Sequence, residues 1–412
     1  MLTQKTPKDA TMKICMLVNK YPNSPDEAIV SGETKNPFYL SQALKGAGHD
    51  VTVITHNTDK AVRDFNGVKI YDIGEGLLRS IVWTMTRNLR EVRRFLELAS
   101  EETFDIIHAH IFSSVAGLAY LRKVGRIKTP IISTAHGTSI PEFYANLEGV
   151  SLYNTLARIN EWMQKHVDRF SWLHSDKVIS VSEYQIREMI DIYKLPEEKV
   201  VVISNGVDTS FYKPDANAGN NVRGRHGLGD KKVVLFVGRL VRKKGVQYLI
   251  DAAPLILKEV PNTIFLIIGG TDQFAKYDSE LQKRIESSRL GEEFVIVKDV
   301  SEKDMPGYYN AADVCVFPSI NYESFPTVIF EAMACGKPIV ATNRWGIPEQ
   351  IGYEDTLVPE KNSSALAKQT IEILREEQLA EMLSQRNRQS ADRFDWRKIA
   401  KKHEDLYNSL RL

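Results

Sequence analysis

The stretch VVLFVGRLVRKKGVQYLI, residues 233–250, decides the reading of the fold. Its first six residues form an apolar run ending at Gly238, the pattern of a strand buried on both faces. Its last five are apolar with one polar break, the start of a helix. Between them lie Arg239 and Lys244, with Gly245 at the helix entrance. A strand, a short basic loop and a helix make half of a βαβ unit. A helix amino terminus carries unpaired N–H groups and a positive partial charge. With two fixed cations beside it, the loop reads as a seat for a diphosphate; the bland reading is a solvated basic loop.

The same alternation runs in both directions. After it come TIFLIIGG (263–270), FVIVKD (294–299), DVCVFPS (313–319), KPIVAT (337–342) and a short TLVP (356–359). Before it come KICMLVN (13–19), VTVIT (51–55), FDIIHA (104–109), PIIST (130–134), KVISV (177–181) and VVVIS (200–204). Helix-like stretches such as FYLSQALKGAG (38–48) and TRNLREVRRFLELASE (86–101) lie between them. Strands alternating with amphipathic stretches imply parallel sheets, an α/β class. YKPDANAGNNVRGRHGLGDKK (212–232) is polar and rich in glycine and reads as a linker or surface loop. The boundaries expected are therefore a first domain over residues 1–210, a second over 211–390 and a terminal helix over 391–412. In such sheets ligands bind at the carboxyl ends of the strands, and a cleft between the domains is the natural site.

Composition narrows the function. The chain has 412 residues, 43% hydrophobic and 26% charged, and a formal net charge of +1. Two soluble domains are expected. No global field draws the protein to nucleic acid, so an anion site must be built locally. The three cysteines, Cys15, Cys315 and Cys335, lack metal or disulfide spacing and read as buried side chains of a reducing compartment. No signal peptide opens the sequence and no apolar run reaches the roughly 20 residues of a membrane span, so a cytoplasmic protein is expected. The mixed segment SLYNTLARINEWMQKHVDRFSWLH (151–174) admits a peripheral contact with the inner face of a membrane, although a long domain helix is the plainer reading. P-loop, dinucleotide-fingerprint, nucleophile-elbow and zincin motifs are missing, and so is any Asp-x-Asp pair that would hold a magnesium-bound diphosphate.

The unusual polar residues fall just after strands. Gly32 lies in the loop after the first strand, His110 ends FDIIHAH, His136 follows PIISTA, and Asn205 and Gly206 follow VVVIS. His108 is expected to point away from the rim. In NYESFPTVIFEAMACGKPIVAT (321–342), Pro326 suits a first helical turn. Glu331 then falls in the second turn among apolar neighbours, where a carboxylate needs a partner such as a ribose diol or an internal ion pair. Glu323, outside the helix, is placed to meet a transferred sugar or simply to sit at the helix start.

These residues resemble the family 4 glycosyltransferases over nearly the whole chain. The E-x7-E element is Glu323 to Glu331, the G-R…K-G element is VGRLVRKKG (237–245), and NGVDTSFYKPD (205–215), SGETKNPFYLSQALKGAGHDVTVIT (31–55) and TAHG (134–137) also match. The resemblance implies the GT-B architecture: two doubly wound Rossmann-like domains facing across a cleft. It implies a retaining transfer from a nucleoside-diphosphate sugar, UDP-sugar favoured, to a saccharide, lipid-linked or small-molecule hydroxyl acceptor, with no metal or other cofactor. Residue by residue, Glu331 should hold the ribose and Glu323 should lie against the donor sugar. Arg239 and Lys244 should hold the diphosphate, and Ser324, Phe325, Pro326 and Thr327 should line it. Gly32 should let the first loop approach the phosphates, and His136 should face the reacting sugar. The terminal segment DRFDWRKIAKKHEDLYNSL (392–410) looks like the helix that crosses back to the first domain. Three departures stand out. Ser31 precedes a single glycine, Trp345 stands where two glycines usually precede I-P-E, and Pro326 replaces a common glycine. The alternatives are a nucleotide-sugar epimerase and a non-catalytic nucleotide-sugar-binding protein on the same scaffold.

Overall fold

A computed structural model describes residues 11–22, 32–57, 61–74, 81–110, 115–137, 152–270 and 275–411. The chain divides into two compact units. The second spans Gly206–Asp395, and Trp396–Leu412 returns to the first.

In chain order the first unit contains β1 (Lys13–Leu17), α1 (Gly32–Gly46), β2 (Asp50–Thr55), β3 (Val62–Phe65), β4 (Val68–Asp72), α2 (Ile81–Glu101), β5 (Ile106–Ala109), α3 (Ala116–Lys123), β6 (Ile131–Ala135), α4 (Leu152–His174), β7 (Lys177–Ser180), α5 (Glu183–Asp191) and β8 (Val200–Val202). Among the described residues its sheet has eight strands in the order β3-β4-β2-β1-β5-β6-β7-β8. Only the β3–β4 pair is antiparallel. The order turns around at β1 and β5, so the ends of these strands open the ligand crevice of a doubly wound sheet. Cys15, Leu17, Ile54, Ile107 and Ala109 pack on Phe95 of α2 and Leu118 of α3 to form the core.

The β3–β4 hairpin is an addition to the six strands expected here. It turns on Asn66 and Gly67, both at positive φ (52° and 80°). An Asn-Gly pair between two short strands is the sequence signal for it, because both central residues of such a turn need left-handed backbone.

The second unit contains α6 (Ala216–Arg225), β9 (Lys232–Val237), α7 (Val246–Glu259), β10 (Thr263–Ile268), α8 (Ala275–Ser288), β11 (Phe294–Val297), α9 (Met305–Ala311), β12 (Val314–Phe317), α10 (Thr327–Ala334), β13 (Ile339–Thr342), α11 (Ile347–Ile351), β14 (Leu357–Val358), α12 (Ser363–Arg375) and α13 (Glu377–Ala391). Among the described residues its six parallel strands run β11-β10-β9-β12-β13-β14, with the order turning around between β9 and β12. All six match the apolar runs of the sequence.

The segment expected to be a linker carries helix α6 at its centre. The Asp215 side chain caps it by accepting from the Ala218 N–H at 2.9 Å. Gly219 lies so close to α9 that a Cβ there would meet the Asn310 backbone at 2.8 Å. The helix packs through the absence of a side chain, which no hydrophobic count registers.

The last helix, α14 (Trp396–Leu410), completes the first unit. Trp396 stacks on Tyr39 of α1, and the Glu404 carboxylate meets His49 Nε2 at 3.1 Å. All three cysteines are buried free thiols. Burial raises each above the ordinary thiol range, Cys315 to about 12. Among the described residues no helix is long and apolar enough to cross a membrane.

Candidate active site

In the second unit, three loops at the carboxyl ends of β9, β12 and β13 are laced into one structure. Gly245, after β9, has φ of 74°, and a Cβ on it would lie 1.8 Å from the Pro318 carbonyl oxygen after β12. Only glycine permits that approach. The Ile320 N–H then donates to the Lys243 carbonyl at 2.9 Å, and the Thr342 hydroxyl of β13 donates to the Ser319 carbonyl at 2.9 Å. Gly346, after β13, makes the third close approach. Its N–H donates to the Glu323 carbonyl at 3.0 Å, and a Cβ on it would sit 1.6 Å from the Ser324 carbonyl oxygen.

This lacing brings Lys244 and Glu323 together. The ammonium Nζ lies 2.6 Å from Glu323 Oε1, and the Ser319 hydroxyl donates to the same oxygen at 3.2 Å. The lysine and carboxylate side chains are only 19% and 10% exposed. The sequence assigned these two residues separate tasks and did not reveal their pairing. Beside them α10 begins at Thr327. Its cap residue, Pro326, offers no side-chain acceptor to the first-turn N–H groups. Phe236, Lys244, Ser319, Pro326 and Val328 help line a narrow crevice of about 10 Å³, room for about one water.

Arg239 lies in the same β9–α7 loop, half-buried. Its guanidinium makes no hydrogen bond or ion pair among the described residues. Ser324 and Phe325 are buried in the loop between Glu323 and Pro326.

Glu331 lies inside α10 and is 3% exposed. The partner its setting demands includes the Tyr309 hydroxyl of α9, which donates to Oε2 at 2.8 Å. The tyrosine's own ionisation is pushed well up by burial and, next, by the adjacent carboxylate. Tyr309, 22 positions upstream of Glu331 on another helix, escaped the sequence reading. Trp345 occupies left-handed backbone at φ 56°, a position that favours glycine. The Arg344 guanidinium lies 5.6 Å from its ring centroid.

In the first unit Gly32 is the first residue of α1 rather than a loop residue, and Ser31 lies outside the described residues. His110 and His136, after β5 and β6, meet directly: His110 Nδ1 and His136 Nε2 are 3.0 Å apart, with stacked rings. The Asn205 side chain hydrogen-bonds to His136. Burial holds His136 down to about 4, and His110 and His108 well below the usual imidazole range. All three are therefore neutral at pH 7, and one nitrogen of the His110–His136 pair carries the shared proton.

His108, expected to point opposite to its neighbour and away from the rim, instead lies beside His110. Residues i and i+2 of a strand share a face, and the two ring centroids are 4.1 Å apart. His108 is fixed from both sides, by Tyr407 of α14 at 2.6 Å and by Thr134 at 2.7 Å. The candidate amphipathic segment forms α4, in which Trp172 is buried and Trp162 is 62% exposed.

Residues 38–211 match the family described as Glycosyltransferase Family 4, and residues 220–390 the family described as Glycosyl transferases group 1. The chain belongs to the family 4 glycosyltransferases. An uncharacterised glycosyltransferase of Methanocaldococcus jannaschii is 28% identical over 404 residues, covering 96% of this chain and 98% of that one. Among solved structures, sucrose-phosphate synthase from Thermosynechococcus elongatus superimposes with a TM-score of 0.82 at 24% identity, covering 97% of this chain and 99% of that one. The Anabaena protein HepE, solved in complex with UDP, superimposes at 0.76 and 21% identity, covering 97% and 100%. The fold of this glycosyltransferase is GT-B, with a parallel Rossmann-like sheet in each unit.

Proposed function

We propose that this glycosyltransferase moves a sugar from a nucleoside-diphosphate sugar, UDP-sugar by preference, to a hydroxyl acceptor with retention at the anomeric carbon and without a metal. The observation that carries this reading is the meeting of Lys244, Glu323 and the uncapped start of α10 at the point where the second sheet reverses its order. A helix start and fixed cations suit a pyrophosphate. The UDP held by the Anabaena neighbour, on the same fold, supports uridine as the base.

In this reading Arg239 and the N–H groups around Phe325 and Thr327 neutralise the diphosphate as it departs, the task a metal ion performs elsewhere, and Lys244 adds hydrogen-bond donors to it. Ser324 and Pro326 shape the same turn. Glu331 holds the ribose, its carboxylate oriented by Tyr309, and Glu323 meets the donor sugar. The bond from C1 to the β-phosphate oxygen breaks as the bond from C1 to the acceptor oxygen forms on the same face. The departing oxygen takes the acceptor's proton. His136, neutral and held by His110 and Asn205, hydrogen-bonds the reacting sugar.

The test is a thermal-shift panel of UDP, GDP, ADP and their sugars in EDTA, followed by NMR of the product anomer. A ligand at 100 times its Kd raises stability by about 2.7 kcal/mol. A UDP-sugar should shift the protein and yield a product with the donor's anomeric configuration. Arg239→Ala should lower kcat on the order of a hundredfold, about 3 kcal/mol. Turnover unchanged in that variant, or an inverted product, overturns the reading.

A further inference from the structure

A second charged cavity lies in the first unit. It measures about 520 Å³, within the range of small-molecule pockets, and Val62, Asp72, Arg90, Arg93, Arg94 and Glu97 help line it. Asp72 is the last residue of β4, so the cavity opens at the carboxyl end of a parallel strand, the ligand end of such a sheet. On α2, Arg93 and Arg94 each lie three or four positions from Arg90 and from Glu97, so the four residues share one broad face of that helix.

Three guanidinium groups face two carboxylates here. Arg63 lies 3.7 Å from Asp72 and adds a further positive charge. Glu97 accepts from Arg93 Nε at 2.9 Å and from Arg94 Nη1 at 3.0 Å. Each arginine has five N–H donors, so this carboxylate engages one from each and leaves the rest. Arg94 is held in place from its other side by the Tyr71 ring, 4.7 Å from its guanidinium carbon. Its Nε–H is nevertheless buried without a hydrogen-bond partner, as is Arg63 Nη2. Arg90 makes one long bond, at 3.4 Å, to the Gly74 carbonyl. Arg93 is 83% exposed, so its spare donors meet water. Beside the cavity the cluster keeps a net positive charge and the buried, orphaned Nε–H of Arg94.

We propose that this cavity takes an oxyanion group, phosphate or carboxylate, of the sugar acceptor, and that the acceptor of this enzyme is therefore a small anionic molecule bearing a free hydroxyl. The proposal rests on the glycosyltransferase reading above. Forked guanidinium groups match planar and tetrahedral oxyanions through paired hydrogen bonds. Glu97 occupies the same donors as an internal competitor. Removing its charge should tighten binding of the acceptor's anion, whereas removing the arginines should weaken it.

The full-length protein is titrated calorimetrically with glycerol 3-phosphate, with succinate and with glycerol. One of the two anions should saturate and the neutral polyol should not; the anion that does so identifies the group as phosphate or carboxylate. In Arg90→Gln/Arg94→Gln the affinity should fall at least tenfold. In Glu97→Gln it should rise several-fold. UDP titrated into the same three proteins should bind with one affinity throughout. Saturation by neither anion, or wild-type affinity in the double variant, overturns the proposal. Loss of nucleoside diphosphate binding in the wild type instead overturns the reading beneath it. If the double variant does not fold, Glu97→Gln decides, and unchanged or weaker anion binding there is the refuting result.

Discussion

Replacing Lys244 by methionine keeps the length of the side chain and removes its charge. Glu323 is then left 10% exposed, with the Ser319 hydroxyl as its remaining bond in the site described above. Breaking a buried pair by deleting one partner costs about 3–5 kcal/mol, because the other charge stays desolvated. The hydroxyl and the residual exposure reduce this, so about 3 kcal/mol is expected for Lys244→Met. At about 2–4 °C per kcal/mol for a unit of this size, Tm should fall about 6–12 °C. Glu323→Gln is milder, about 1 kcal/mol, since the more exposed ammonium can turn to water. The double variant Lys244→Met/Glu323→Gln buries no charge. It should recover at least about 1.5 kcal/mol of the sum of the single losses, the mark of two groups in direct contact. The assay is thermal and urea denaturation of all four proteins. Losses that add within about 0.5 kcal/mol would refute the pairing, and with it the view that Glu323 is oriented by Lys244.

Three more outcomes follow from the geometry. Gly346→Ala forces a Cβ to within 1.6 Å of the Ser324 carbonyl; the loop must shift, and donor turnover should fall at least tenfold while Gly48→Ala, with nothing within 4 Å, affects stability through its backbone alone. Tyr309→Phe leaves Glu331 Oε2 without its phenol and should cost about 1–3 kcal/mol, read by urea denaturation; a change under about 0.5 kcal/mol would show that the hydroxyl does not orient that carboxylate. His136 and His403 are held near 4 in the folded state, below the ordinary 6.5, so the unfolded chain binds the extra protons. Their contribution to stability is complete above pH 6.5 and is lost as pH falls from 6.5 toward 4, on the order of 3 kcal/mol each. His136→Gln should flatten Tm against pH in that window, and an unaltered profile would show that the imidazole is not kept neutral by the fold.

Much of this architecture is legible in the residues because both sheets, apart from the β3–β4 edge, are parallel and buried on both faces, which makes their strands continuous apolar runs. VVLFVG and DVCVFPS announce β9 and β12 in this way. What escapes is structure made without such runs. The edge hairpin β3–β4 is half solvated, with an alternating exposed and partly buried pattern in β3. Its signal is the Asn66-Gly67 turn alone. Helix α6 touches its neighbour through a missing side chain at Gly219 and one buried valine, Val222. At the site, the order of strands and loops fixes which residues reach one rim, so Lys244, Glu323 and the start of α10 could be named from spacing. Which side chains then bind one another depends on distances that spacing does not carry. Tyr309 on Glu331, His110 on His136 and Tyr407 on His108 are all contacts between separate elements.

The Lys244–Glu323 pair changes how the charge of the seat is apportioned. An ammonium 2.6 Å from a carboxylate presents little net charge to an incoming diphosphate; it contributes hydrogen-bond donors and a fixed position. The positive potential left in the loop comes from Arg239, half-buried and without an ion-pair partner among the described residues, and from the uncapped N–H groups of α10. Arg239 and Lys244, which look equivalent in VGRLVRKKG, therefore divide the work. In the proposed mechanism the arginine supplies the charge that draws and stabilises the leaving group, and the lysine fixes the position of Glu323 for the donor sugar. Gly245 and Gly346 tolerate no side chain because a Cβ on either would meet a carbonyl oxygen of the facing loop, at 1.8 Å and 1.6 Å. The seat is built from backbone pressed against backbone, and the ion pair closes only when both loops lie that near.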